Sequence, residues 1–421
     1  MNIVMLTNTY TPFVGGVPRS VKTFTEAYRK KGHEVIVVAP EFEDVPGDEE
    51  GVVRLPAIKN VSDAGFSVRL PIPGYLSNRI EEFEPDLAHA HHPFLLGDTA
   101  LRLARQENIP LVFTNHTLYE QYTHYLPVDN STVRQYVRNL VKGYANLCDE
   151  VFAPSQSVAR MLKDRGVETP IDVVPTGIDV DEFGGGDGRR FRNRTGIDED
   201  VFLVGHLGRL AEEKNIPFLI RAVAGFLRDH EDTEFLLVGE GPIEDQLTET
   251  VRDQGLEDRV HFAGELRNQD LYDAYASMDL FAFGSKTETQ GMVLVEAMSS
   301  GTPVVALDAS GTRDVVVNGE TGRLIRDEDE ETFADAIEWY YDLSASKKEI
   351  IQDNTRKRAE GFDKDVMAER ALEIYSDLVA DFQKKTRDPN LWQQAKSRLE
   401  TEWQILQNFA SATDAVVVEG E

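Results

Sequence analysis

The sequence predicts an α/β protein made of two doubly wound domains that face a central cleft. Three observations carry this. Short apolar runs alternate with helical patterns along the chain; a glycine-rich stretch interrupts the alternation and the same series restarts after it; and 421 residues exceed what one hydrophobic core usually serves.

The first series begins with NIVMLT, followed by a helical pattern over Val17–Lys31 that Gly32 closes as a C′ residue. HEVIVVAP, DLAHAHH, PLVFTNH and EVFAPS continue it, each a run of strand length separated from the next by helical periodicity. Such alternation gives a parallel sheet with crossover helices. DEFGGGDGRRF is glycine-rich and polar, so residues 183–191 read as a linker between a first domain, 1–182, and a second, 192–360. The second series is VFLVGHLGR, TEFLLVGEG, VHFAGEL, LFAFGS and TPVVAL. Residues 361–421 read as helices returning to the first domain, with Met367, Ala371, Ile374 and Leu378 at helical spacing, Trp392 and Trp403 on a last amphipathic helix, and a frayed final dozen residues.

The composition is 41% hydrophobic, with 74 acidic against 44 basic residues for a formal net charge of -30. Only 15 of the basic residues are lysines. A dispersed acidic, lysine-poor surface suits a halophilic host, and it argues against general nucleic-acid binding, which needs a basic face. Cys148 is alone, so neither an internal disulfide nor a cysteine zinc site is expected, and a reducing cytoplasm fits. MNIVMLTNTY carries no basic segment before a long apolar run, and no stretch has the length of a membrane span.

In doubly wound sheets ligands bind beyond the carboxyl ends of the strands. Neither a GxGxxG dinucleotide fingerprint nor a GxxxxGK[ST] phosphate loop is present: Gly15-Gly16 has the wrong spacing, and Gly239-Glu240-Gly241 lacks the third glycine. Four phosphate-compatible features remain at strand ends. Gly15 and Gly16 precede the first helix, Arg209 and Lys214 present two cations able to converge on one diphosphate, Gly239 allows a tight turn, and Gly291 opens the apolar run MVLVEAM. A buried helix starting there leaves amides near Gly291, Met292 and Val293 as an anion-binding end. Glu288 then lies just before that end and Glu296 about one and a half turns inside, where a buried carboxylate needs hydrogen-bond donors such as the vicinal diol of a ribose.

With these motifs in this order, residues 1 to about 380 resemble retaining, sugar-nucleotide-dependent glycosyltransferases of the GT-B architecture, whose two domains are Rossmann-like. Glu288 and Glu296 match the family's E-x7-E signature. The resemblance implies that Arg209 and Lys214 hold the diphosphate, Glu296 the ribose, and Gly291, Met292, Val293 and Leu294 offer amides to sugar and phosphate. Leu266 would lie near the base and Glu288 would face the transferred hexose. LVFTNHTLYEQYTHYLP is similar to the matching stretch of diacylglycerol α-glucosyltransferases and phosphatidylinositol mannosyltransferases, which implies a donor-sugar contact for His116. The catalytic set is thus His116, Glu288, Arg209 and Lys214. The reaction implied is a front-face displacement with the departing diphosphate as proton acceptor. The nucleotide sugar is a substrate, no cofactor is expected, and the cations stand where a metal would.

HAHHP, with His89 and His91 on one strand face, invites a zinc reading that spacing alone does not support. The acceptor is read from STVRQYVRNLVKGYANL, where Arg134, Arg138 and Lys142 form a basic stripe beside Val133, Val137, Leu140, Val141 and Tyr144. Such a helix suits the anionic inner face of a membrane, and equally packs its apolar face on a domain core. GFSVRLPIPGYLSN adds an apolar loop that could line an acceptor entry. A lipid or lipid-linked acceptor at the cytoplasmic membrane surface is the leading expectation. Three alternatives stay open: a soluble glycosyltransferase with a sugar or small-molecule acceptor, a sugar-nucleotide epimerase, and a non-catalytic nucleotide-sugar sensor.

Overall fold

The structure is a computed structural model that describes residues 1–42, 49–56, 80, 82–121, 131–385 and 391–418. The apolar loop 65–78 and the end of the 111–127 stretch, from residue 122, lie outside the described residues, and Trp392 lies outside the described side chains.

The chain forms two compact units, Met1–Gly177 with Lys364–Glu421, and Ile178–Asp363. Unit 1 holds a seven-stranded sheet, β1 (Asn2–Leu6), β2 (Glu34–Pro40), β3 (Val52–Leu55), β4 (Leu87–Ala90), β5 (Leu111–Thr114), β6 (Glu150–Ala153) and β7 (Ile171–Val173), in the order β3-β2-β1-β4-β5-β6-β7. Every pairing is parallel. Unit 2 holds β8 (Phe202–Leu207), β9 (Thr233–Val238), β10 (Val260–Phe262), β11 (Leu280–Phe283), β12 (Val304–Leu307) and β13 (Gly322–Ile325), again all parallel, in the order β10-β9-β8-β11-β12-β13. Both orders reverse once, between β1 and β4 and between β8 and β11, and these switch points are where a doubly wound sheet opens a crevice for a ligand.

Strand alternation builds the cores. Val4 and Leu6 face one apolar cluster and Ile3 and Met5 the other, on opposite sides of the unit 1 sheet. In unit 2, Val204, Leu280 and Val305 face one side and Leu203, Phe281 and Val304 the other. With helices on both faces, the strands read as near-continuous apolar runs, which is why short strings such as LFAF were recognisable.

The glycine-rich stretch differs from the expectation of a linker over 183–191. The chain passes between units at Gly177–Ile178, and the stretch forms helices Val180–Gly184 and Gly188–Thr195 inside unit 2. Its glycines serve close packing: a Cβ on Gly186 or Gly188 would come within 2.2 Å of the Tyr272 or Ala276 carbonyl oxygen. The second domain accordingly begins before residue 192 and runs to Asp363.

The C-terminal segment belongs to unit 1. Helix Lys364–Lys385 buries Met367, Ala371 and Tyr375 against Tyr28 and Phe152, while helix Leu391–Val418 inserts Ile405 into the opposite cluster and pairs Glu402 with Arg102 at 2.5 Å. This last helix continues to Val418, past the point where fraying was expected. Leu399, Trp403 and Leu406 share its exposed side.

Candidate active site

In unit 2, Arg209 and Lys214 follow β8 and Glu288 and Gly291 follow β11, the two strands of the switch point, while Gly239 follows β9 and Leu266 follows β10. β8 ends at Leu207, and Gly208 and Arg209 follow, with Arg209 exposed and in no ion pair among the described residues. The loop after β9 fixes this turn: Gly208 N–H donates to Val238 O (3.0 Å) and Leu210 N–H to Glu240 O (3.0 Å). Gly239 sits at φ +130, and a Cβ there would lie 2.0 Å from Gly208 O. The backbone that Gly239 approaches is therefore the Arg209 loop. Leu266, after β10, packs half-buried on the unit 2 core.

Lys214 lies in a short 3₁₀ turn, Glu212–Lys214, before helix Ile216–Asp229, and its Nζ donates to Glu288 Oε1 at 2.5 Å. Ser285 Oγ donates to the same oxygen at 3.0 Å. Burial pushes the Glu288 carboxyl up, but the charge and hydrogen bond of Lys214, with help from Ser285 and His206, outweigh it and hold the group below its usual range. Glu288 is thus an ionised carboxylate at neutral pH. Two expected donor ligands are in contact, so a phosphate reaching Lys214 has to share its ammonium with Glu288.

The helix expected after Gly291 is Met292–Ser299, with Gly291 as a left-handed N-cap at φ 73. Leu294 N–H donates to Gly291 O at 3.0 Å, so the amides left at this helix start are those before it, and Leu294, which the resemblance counted among the donors, has its N–H engaged within the helix. Met292 and Val293 are half-buried. Glu296 is buried on this helix, and its Oε2 accepts from Tyr275 Oη at 2.6 Å. The predicted need for a hydroxyl donor is met in part by a protein side chain.

Two contributors escaped the sequence reading. Gly311, at φ +77, lies under the Glu288 loop, and a Cβ there would be 2.8 Å from Glu288 O and 2.9 Å from Gln290 N. His206, on β8, is fully buried; its Nδ1 donates to Ala282 O at 3.0 Å while Nε2 has no partner among the described residues. Burial takes its pKa down to about 4, and it lies within electrostatic reach of Lys214 and Glu288. Its polar type amid the apolar run FLVGHL was the available signal.

Unit 1 presents its own strand-end site. Gly15 is the N-cap of helix Gly16–Lys30, one residue longer at its start than predicted, and both glycines are exposed. Asn8 ties the β1 loop to the β4 loop: its N–H donates to His92 Nδ1 (3.1 Å) and its Oδ1 accepts from Leu96 N–H (3.1 Å). His116, just past β5, is 2.9 Å from His91 through Nε2 and Nδ1, the rings nearly parallel at 18°. Burial lowers the pKa of His116 to about 3 and that of His91 well below its usual value. Both ring nitrogens of His89 are engaged, Nε2 with Thr114 Oγ1 (2.7 Å) and Nδ1 with Tyr375 Oη (2.5 Å), so His89 is not available as a zinc ligand. Among the described residues no three His, Cys, Asp or Glu side chains are placed to hold a metal ion.

The basic stripe rides on helix Ser131–Ala145. Its apolar side does not face outward: Leu140, Val141 and Tyr144 are buried in the unit 1 core and Val137 packs against it. Gly143 abuts Asn408 of the last helix, and Lys142 Nζ lies over Gly166. Arg134 is exposed and Arg138 half-buried. Lys142 is half-buried as well, so of the three cations only Arg134 is fully on the surface.

Two parallel doubly wound units are the architecture of GT-B glycosyltransferases. Residues 14–182 match the model of Glycosyltransferase Family 4 and residues 187–358 that of Glycosyl transferases group 1. The chain belongs to this family of GT-B glycosyltransferases. It is 30% identical to the alpha-monoglucosyldiacylglycerol synthase of Streptococcus pneumoniae over 73% of this chain and 71% of that protein. It is 29% identical to a GDP-mannose-dependent alpha-mannosyltransferase of Corynebacterium glutamicum over 90% of each. Among solved structures, Anabaena HepE in complex with UDP superposes with a TM-score of 0.71 at 23% identity, covering 90% of this chain and all of that one.

Proposed function

We propose that the chain is a retaining, metal-independent hexosyltransferase that moves a hexose, with UDP-glucose the first candidate donor, to a hydroxyl of a lipid or lipid-linked acceptor at the inner membrane surface. The observation that carries this is the Lys214–Glu288 contact beside the glycine-capped start of helix Met292–Ser299. It combines a cation and free amides for a diphosphate with an ionised carboxylate for the sugar. In this reading Arg209 and Lys214 stabilise the leaving diphosphate, Glu296 takes ribose hydroxyls, and Glu288 and His116 orient the hexose. The bond from the anomeric carbon to the diphosphate breaks, the acceptor oxygen bonds to the same face, and its proton passes to a departing phosphate oxygen. Configuration is retained.

The name of the pneumococcal relative, a monoglucosyldiacylglycerol synthase, supports a glycerolipid acceptor and glucose. That of the corynebacterial relative supports GDP-mannose, so both donors belong in the test. No described helix is long and apolar enough to cross a membrane, and in this reading attachment is electrostatic, through Arg134, Arg138 and Lys142. The acidic, lysine-poor composition leads us to place optimal activity in high salt. Burial of Leu140, Val141 and Tyr144 favours one second reading, a water-soluble sugar acceptor with no membrane contact.

The deciding experiment incubates the protein with UDP-glucose or GDP-mannose and either total membrane lipid extract or a panel of water-soluble sugars across a salt series, with mass analysis of products. A hexosylated lipid, with free nucleoside diphosphate released only when acceptor is present, is the expected result. A hexosylated water-soluble sugar establishes the second reading; an epimerised nucleotide sugar or unchanged donor throughout overturns both. Co-sedimentation with anionic liposomes across the same salt series, lost when Arg134, Arg138 and Lys142 are all replaced by alanine, tests the attachment.

A further inference from the structure

Four histidines crowd the carboxyl ends of β4 and β5, and three of their relationships are fixed by partners. His89 is held at both nitrogens by Thr114 and Tyr375. His92 accepts at Nδ1 from the Asn8 N–H, so its own hydrogen is on Nε2 when neutral. His91 differs. Its Nδ1 faces His116 Nε2 at 2.9 Å, its ring lies over His89 at 4.2 Å between centroids, it is 1% exposed, and its Nε2 has no hydrogen-bond partner among the described residues. A buried polar nitrogen of that kind calls for an explanation.

Both imidazoles are neutral, because burial, with the neighbouring histidines adding to it at His91, disfavours their charged forms. A neutral imidazole has one N–H and one bare nitrogen. Across a 2.9 Å contact between two ring nitrogens, one of them must carry the hydrogen and the other must be bare. If His91 Nδ1 carries it, His116 Nε2 is bare and the second hydrogen is on His116 Nδ1. If His116 Nε2 carries it, His91 Nδ1 is bare and the second hydrogen is on His91 Nε2. The two rings are therefore bound to the same tautomer: both Nδ1–H or both Nε2–H.

We propose that His91 is a positioning residue for His116: the shared proton makes the tautomer of one ring dictate that of the other, so that what meets the buried Nε2 of His91 acts on the His116 tautomer together with the surroundings of His116 itself. A group that donates to His91 Nε2 leaves His116 with its hydrogen on Nδ1; a group that accepts there leaves His116 Nδ1 bare. The functional consequence rests on the reading that His116 contacts the donor sugar, since a ring that must accept from or donate to one particular hydroxyl works in one tautomer only. Tyr375, from the returning C-terminal helix, steadies the stack by holding His89 beneath His91.

The test uses full-length protein with ¹⁵N-labelled histidine, reading the tautomer of each ring from two-bond proton–nitrogen correlations at neutral pH. His91 and His116 in the same neutral tautomer is the expected result; opposite tautomers, or a charged ring at either position, overturns the proposal without any variant and independently of transferase activity. In the His91→Phe variant, checked for unchanged thermal unfolding, the His116 tautomer shifts or becomes mixed, and kcat falls about tenfold, the kinetic equivalent of one hydrogen bond, with little change in donor KM. His91→Asn keeps a polar group near the Nδ1 position and restores most of that loss. An unchanged His116 tautomer in His91→Phe, or equal losses in the two variants, refutes the positioning role. Preserved tautomer coupling with no glycosyl transfer from any donor removes the functional reading and leaves the coupling standing.

Discussion

Tyr275→Phe is the most exacting perturbation of the donor unit. It removes one atom, the hydroxyl that donates to Glu296 Oε2 at 2.6 Å, and leaves a ring that packs edge-on to Phe183, with centroids 5.7 Å apart, and beside Phe281 at 5.9 Å. Both residues of the pair are buried, at 0% and 1% exposure, so water does not replace the lost donor. Hydrogen bonds to charged groups contribute about 1.5–3 kcal/mol, and that is the expected loss in unit 2. For a unit of this length each kcal/mol lowers the midpoint by about 2–4 °C, giving a drop of about 3–12 °C by calorimetry. In the Glu296→Gln background the acceptor is neutral, and Tyr275→Phe then costs only about 0.5–1.5 kcal/mol. The hydroxyl also holds Glu296 in the orientation assigned to ribose binding, so affinity for the nucleoside diphosphate, measured by titration calorimetry, falls in parallel. A midpoint unchanged within a degree, or the same cost in both backgrounds, refutes the assignment of Tyr275 as the support of Glu296.

Arg209→Ala, at an exposed position, leaves the midpoint within experimental error while lowering turnover on the order of 100-fold, as loss of an oxyanion donor does, in a steady-state transfer assay. Glu288 is held below its ordinary pKa of 4.5, so its contribution to stability is fully present above that value and is lost as pH falls through the folded-state pKa; the midpoint of Glu288→Gln should be less sensitive to acid than that of the parent below about pH 4.5. Gly311→Ala combines a positive φ with a Cβ 2.8 Å from Glu288 O, whereas Gly319→Ala has the same φ sign and nothing within 4 Å. Urea denaturation should show roughly 1–2 kcal/mol lost at Gly319, a larger loss at Gly311, and a fall in activity at Gly311 alone.

Much of the candidate site was legible because it is local. Glycine before an apolar octet marks a helix start, and from Gly291 the counting that puts Glu288 outside and Glu296 inside is fixed by helix geometry. Arg209 and His116 were placed at strand ends by the lengths of the apolar runs before them. The linker was misread because a run of glycines has the same composition whether it swings freely or, as at Gly186 and Gly188, lets a helix press against the Tyr272 and Ala276 carbonyls. The basic helix was ambiguous for a related reason: periodicity shows that an apolar face exists, and the neighbours that cover Leu140 and Tyr144 come from elsewhere in the chain.

By itself the sequence determined the two repeating α/β series, the parallel strands and the residue types at each strand end, since these depend on periods of two and 3.6 and on the backbone freedom of glycine. Only the tertiary structure decided that Lys214 meets Glu288 across 74 residues, that Tyr275 supports Glu296, and that His91 faces His116. Those partners are joined by sheet order and burial. Local periodicity does not encode which strand end lies next to which, and it is burial away from water that turns such proximity into strong hydrogen bonds and shifted charges.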